Sequence, residues 1–285
     1  MSGIAPAARL LRQQCLAASS RQLAFANCHA PMDLALKAAL TALVVSSVLV
    51  AARVFGDRMA GLLAGLPVST VPALVWVGAE QGPVLAAQLA VGSVAGCGVV
   101  AVFALVYERS ARHAAPWRAL VAALSAMALA MLLIALPAHA LGPSPSTTLL
   151  AVIAVCAIVL RFMPAPGAGI VRHTASRRRV VCTALLAGAV SAAVATCGLA
   201  VSPMLAGFLA ALPIVCVATV TAEHSAGGAL SVTRFLRGYI VSLMARAAFG
   251  SAFATLVLSS SLVPALLTSL ALGCACCIVG NRCVR

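Results

Sequence analysis

The chain has 285 residues, 63% of them hydrophobic and 8% charged, with a formal net charge of +14 and a mean hydropathy of +1.12. A soluble domain carries roughly 45–50% apolar and about 25% charged residues, so a water-soluble core is excluded. Repeated apolar runs near ~20 residues also exclude an outer-membrane barrel, whose strands alternate over about 10, and leave an all-α polytopic membrane protein.

Residues 1–31 hold Arg9, Arg12 and Arg21, no acid, and no apolar run long enough for a signal-peptide core. The stretch MDLALKAALTALVV from Met32 reads as a natural start, so this tail is expected to be disordered or an over-extended gene start. Nine spans follow, at about 34–54, 59–79, 84–107, 118–138, 147–163, 180–201, 205–223, 232–256 and 262–280. The first link carries Arg53 and Arg58, and the third Arg109, Arg112 and Arg118. The fifth carries Arg161, Arg172, Arg177, Arg178 and Arg179. The seventh carries Arg234 and Arg237, and the C-terminus Arg282 and Arg285. Links 80–83, 139–146, 201–204 and 259–261 contain no Lys or Arg. Fourteen arginines against none is a positive-inside pattern. It places the C-terminus in the cytoplasm and explains the basic charge as topology rather than as a nucleic-acid surface. Acidic-lipid binding at Arg177–Arg179 is a minor alternative.

An internal repeat organises the chain. Residues 60–82, AGLLAGLPVSTVPALVWVGAEQG, return 146 positions later as AGFLAALPIVCVATVTAEHSAGG at 206–228. Ala60, Gly61, Leu63, Ala64, Leu66, Pro67, Val71 and Gly82 recur as Ala206, Gly207, Leu209, Ala210, Leu212, Pro213, Val217 and Gly228. At the same offset Ala38, Leu40, Val44 and Val48 match Ala184, Leu186, Val190 and Val194, and Gly92 matches Gly238. Spans one to four thus correspond to spans six to nine, with span five as connector: a 4+1+4 arrangement. An odd connector inverts the second half, and each arginine-bearing link in one half maps onto a bare link in the other. The expected units are the tail at 1–31, a four-helix repeat at 32–140, a linker helix with its basic loop at 141–177, and a second repeat at 178–285.

From Met32 through span four, LKAALTALVV, then Ala60-Gly61-Leu62, Pro67, Glu80 and Gly82 in a matching frame, resemble the small four-span bacterial inner-membrane proteins of the GlpM type. The present chain reads as an internal inverted duplication of such a unit. The resemblance implies a bacterial inner-membrane protein and a link to envelope polysaccharide production. The chain departs from that pattern in having Leu74 and Val75 mid-segment, and Ala226 where Glu80 would map. Arginine supplies 18 of the 19 basic residues and alanine is abundant, as a GC-rich bacterial genome would give.

Gly/Pro-interrupted apolar segments at corresponding places in two halves point to a transporter's binding site. Pro67 and Pro213 lack an N–H and clash with the preceding turn, so spans two and seven should break there. Freed carbonyls need partners, from hydroxyls, water or a ligand. Ser69 and Thr70 follow the first break; Cys216 and Thr219 follow the second. Arg246 is the one arginine well inside a span, a functional candidate by default. Glu80 and Glu223, near span ends at opposite surfaces, are candidate gates or proton acceptors, with solvated end residues as the plainer reading. Gly61 and Gly65, echoed by Gly207 and Ala211, and Gly92 and Gly96, echoed by Gly238 and Ser242, read as helix-packing pairs. Eleven cysteines are scattered, mostly in apolar runs, where Cys behaves as a small apolar residue. Cys274, Cys276, Cys277 and Cys283 form a minor metal or lipidation candidate. No catalytic motif is present in a suitable context. The expectation is therefore a non-enzymatic secondary transporter for a small polar or anionic solute, with the lipid bilayer as partner and no cofactor, metal or nucleic acid. The alternative is a membrane scaffold or accessory of envelope polysaccharide biosynthesis.

Overall fold

The structure is a computed structural model describing residues 70–141, 144–164 and 202–283, with isolated positions at Ala39, Leu43, Leu62 and Pro67. Spans one and six, and most of span two before Thr70, lie outside the described residues, as does the tail at 1–31. Seven helices are described: α1 (Thr70–Gln81), α2 (Pro83–Ser110), α3 (Pro116–Leu141), α4 (Pro145–Phe162), α5 (Pro203–Ala210), α6 (Ile214–Leu256) and α7 (Leu262–Cys283). Among the described residues there is no strand, and five segments are long and apolar enough to cross a membrane: Pro83–Ser110, Pro116–Leu133, Pro145–Phe162, Pro203–Leu256 and Leu262–Gly280. These are the helices of a multi-pass membrane protein.

Four helices open on proline, α2, α3, α4 and α5, where the missing N–H has no intrahelical partner to lose. Ser144 caps α4 by accepting from the Thr147 amide at 3.2 Å. At the other end of α4, Arg237 donates to the carbonyls of Leu160, Met163 and Pro164 at 3.4, 3.2 and 3.2 Å, satisfying acceptors a helix end leaves open.

The core lies between α2 and α6. Phe103 and Tyr107 on α2, and Phe235, Tyr239, Phe249 and Phe253 on α6, are fully buried. Helices α3, α4 and α7 turn leucines outward, with Leu129, Leu150 and Leu267 at 59%, 67% and 60% exposure. In water that would be a liability; in lipid it costs nothing, because acyl chains are as apolar as the leucines.

Two helical hairpins turn on single glycines. Gly82 has φ 94 and ψ 172, and Gly228 has φ 65 and ψ −162; they are the only positive-φ residues among those described. This region of backbone space is essentially closed to residues with a Cβ. Around Gly82 the chain reverses: Gly78 packs beside Ala86, and Thr70 lies beside Ser93. Around Gly228 it also reverses: both His224 and Thr233 meet the end of α2, at Tyr107 and Glu108, whereas Gly250 lies back at Val94 and Ala90. The sequence pattern predicts separate seventh and eighth spans, and the two arms of α6 are separate helices that meet at Gly228, where the backbone leaves helical geometry. Ser231 hydrogen-bonds the Glu223 carboxylate across that turn, so the glycine supplies the bend and the side chains hold it.

The two hairpins point to opposite ends of the bundle. Arg237 reaches residues 160–164, Arg109 lies over Phe162, and Arg112 bonds Glu108, so these arginines share the end where Gly228 turns. The opposite end gathers Gly78 against Leu262 and Ser251 against the Pro145 carbonyl at 3.0 Å, beside the Gly82 turn.

Helix α5 is seated on α2 backbone to backbone. A Cβ at Gly92 would collide with the Met204 carbonyl, one at Gly207 with the Leu89 carbonyl and the Ser93 amide, and one at Gly96 with the Ala211 methyl. The Gly92/Gly96 pair and the Gly207/Ala211 pair therefore form one interface, the close approach that small residues four apart permit.

Candidate functional site

The chain breaks twice within spans, and the breaks face one another. In span seven, α5 ends at Ala210 and α6 begins at Ile214. Pro213 has no N–H to continue the ladder, and the Ile214 amide turns back to the Leu212 carbonyl at 2.9 Å. The Ala210 carbonyl, which Ile214 would serve in an unbroken helix, is thereby released. In span two, Pro67 is non-helical, and the Val71 amide donates to its carbonyl at 2.9 Å as the first described helical bond of α1. Its counterpart 146 positions on repeats that geometry: the Val217 amide donates to the Pro213 carbonyl at 2.8 Å.

Arg246, from the far arm of α6, spans both breaks. Its Nη2 donates to the Ala210 carbonyl at 3.0 Å and to the Thr70 hydroxyl. The Thr70 hydroxyl also reaches the Ala210 carbonyl at 3.5 Å and the Ser93 hydroxyl at 3.4 Å. Arg246 is 5% exposed and Thr70 1%. The guanidinium Nε is buried without a hydrogen-bond partner. On insertion scales an arginine at mid-membrane costs about 2.5–3.5 kcal/mol, and its partners normally reveal its task.

A polar seam runs from this junction toward the arginine-bearing end. The Cys97 thiol donates to the Ser93 carbonyl at 3.3 Å. Cys216 and Tyr239 are both buried alongside it. Tyr107 and His224 hydrogen-bond at 3.3 Å, their rings edge-on with centroids 5.8 Å apart. At the end of the seam Glu108, 1% exposed, accepts from Arg112 at 2.5 Å and from Thr233 at 3.0 Å.

The residues singled out in the sequence divide accordingly. Thr70 and Arg246 touch, and Pro67 and Pro213 sit at the two breaks. Cys216 is fully buried. Thr219 bonds its own helix, at the Val215 carbonyl, 2.8 Å. Ser69 lies outside the described residues. Glu80 is exposed at the bare end, and Glu223 is buried at the arginine end against Ser231. Two participants escape the sequence reading: Ser93 is embedded in a packing motif, and the Ala210 group that matters is a backbone carbonyl. Among the described residues no cluster of three or more His, Cys, Asp or Glu could hold a metal ion.

Comparison with protein-family models, curated proteins and solved structures gives no match to this chain.

Proposed function

We propose that the chain is a secondary transporter, a permease for a small polar solute in a bacterial cytoplasmic membrane, with its C-terminus in the cytoplasm. Its two halves are four-span repeats of inverted topology, each akin to a GlpM-type unit, and its solute site lies where the broken second and seventh spans meet. It works without a cofactor or covalent chemistry.

One observation carries this reading: the buried Arg246 guanidinium bonds both helix breaks at once. This arginine joins the two segments that rocking halves would displace relative to each other. Interrupted helices around a central site are the common device of such carriers. The matched turns at Gly82 and Gly228, facing opposite ends, support the inverted repeat. The arginines gathered at one end support the orientation.

Uptake into proteoliposomes across a panel of small solutes tests the proposal. At least one solute should accumulate with wild type. Arg246→Gln should slow it at least about tenfold, the effect of losing roughly 1.4 kcal/mol of interaction with the solute. Pro67→Ala and Pro213→Ala should also slow it, and Glu80→Gln should do so if Glu80 gates the outer face. Inserted, folded protein that moves no solute would favour a scaffold of envelope biosynthesis.

A further inference from the structure

We infer that the ligand of this junction is a small soluble oxyanion, a carboxylate or phosphate, which supplies a counter-charge that no described carboxylate gives Arg246. The inference rests on the transport reading for why such a ligand would enter, but its chemistry stands on charge placement alone.

The chain contains five acids. Glu108 is held by Arg112 and Thr233 at the arginine-bearing end, and Glu223 by Ser231 near the same end. Glu80 is exposed at the opposite end. Asp33 and Asp57 lie outside the described residues, and their sequence positions put them at span ends. Among the described residues no carboxylate reaches Arg246, whose two hydrogen bonds go to a hydroxyl and a carbonyl. The Ala210 carbonyl closes α5 and brings the negative end of a helix dipole. A full helix dipole amounts to about half an elementary charge, and α5 is only 8 residues long. Among the described residues the cation is therefore left undercompensated in a low-dielectric setting, where an isolated charge is most costly.

Capping the broken helix accounts for Nη2 but not for Nε, which is buried without a partner. In a guanidinium the Nε–H and Nη2–H form a planar fork matched to two oxygens of a carboxylate or phosphate, so an oxyanion on that edge would replace the Thr70 hydroxyl as the second acceptor of Nη2. The Thr70 hydroxyl stands at the guanidinium, with the Ser93 hydroxyl behind it, and it can turn to donate to a ligand oxygen. A neutral polar solute would satisfy the donors and leave the charge. A cation would meet it head on.

Thermal unfolding of the purified protein in neutral detergent provides the test, with acetate, inorganic phosphate and sulfate as probes. Chloride at matched ionic strength and uncharged glycerol serve as references. Wild type should show a saturable upward shift in Tm with at least one oxyanion. Arg246→Gln should weaken the apparent affinity at least tenfold. Thr70→Asp is the second variant. It places a carboxylate where the hydroxyl now meets the guanidinium, in the first helical turn after Pro67, where the dipole favours negative charge. It should fold with a Tm at or above wild type and lose the oxyanion shift, and it decides the matter if Arg246→Gln does not fold. Saturable stabilisation by glycerol and not by any oxyanion would overturn the ligand class while leaving transport intact. An oxyanion shift retained in Thr70→Asp would place binding elsewhere. Stabilisation by added phosphatidylglycerol alone, or no saturable shift at all, would overturn the inference outright.

Discussion

At the scale of single residues, an arginine alone in an apolar run identifies itself by the cost of putting it there, which is why Arg246 was legible in the sequence. Its partners were not. Thr70 was visible only as a hydroxyl after a proline, and a backbone carbonyl such as that of Ala210 carries no sequence signal at all. Glu108 was the reverse case: at the end of a span it reads as solvated, yet it is 1% exposed. It is buried because α2 extends to Ser110, and Thr233 beyond the Gly228 turn closes over it. This contrast yields a prediction. Glu108→Ala removes charge-assisted bonds to Arg112 and the bond from Thr233, and should lower stability by about 1–3 kcal/mol in thermal unfolding. Arg112→Ala should cost less, because that side chain is 42% exposed and solvent screens its half of the pair. Equal losses would show that Glu108 is not the buried partner.

At the scale of elements, most helices were legible because membrane thickness sets their length and proline sets their start. The turns were not. Gly82 and Gly228 appeared in the sequence as matched repeat positions inside presumed links. A whole helical reversal on one residue leaves no composition signal beyond the glycine itself. Neither glycine is crowded, since an added Cβ would meet nothing within 4 Å. Gly82→Ala and Gly228→Ala should therefore destabilise only through backbone strain, by about 1–3 kcal/mol each. Gly92 and Gly207 differ. Their φ is ordinary, but a Cβ would strike backbone on the facing helix, and backbone cannot rotate away as a side chain can. Gly92→Val should therefore push α5 off α2, for about 1–3 kcal/mol or more of overpacking, and should also slow uptake by shifting Ala210 from Arg246. Melting curves and uptake on the three variants separate the cases: the turn glycines lower Tm by strain, and the interface glycine also disturbs the site. Unchanged Tm in Gly92→Val would show that the two helices do not touch there.

At the scale of the whole molecule, the inverted repeat makes a demand on residues outside those described. The contact of Gly96 with Ala211 must have a twin 146 positions displaced, between Ser242 and Gly65. In a background without native cysteines, Ser242→Cys with Gly65→Cys should oxidise to a disulfide, which requires Cβ atoms about 3.5–4.5 Å apart. Failure to cross-link in folded protein would break the symmetry. The central claim, that the paired breaks form a site open alternately to each side, is tested most directly at Thr70. Replacing it by cysteine gives the first half the residue the second half carries at Cys216. In the same cysteine-free background, a membrane-impermeant thiol reagent is applied to right-side-out and to inside-out vesicles. Position 70 should be labelled from both sides, and a bound solute should slow both reactions. Labelling from neither side, or from one side only, would contradict the account.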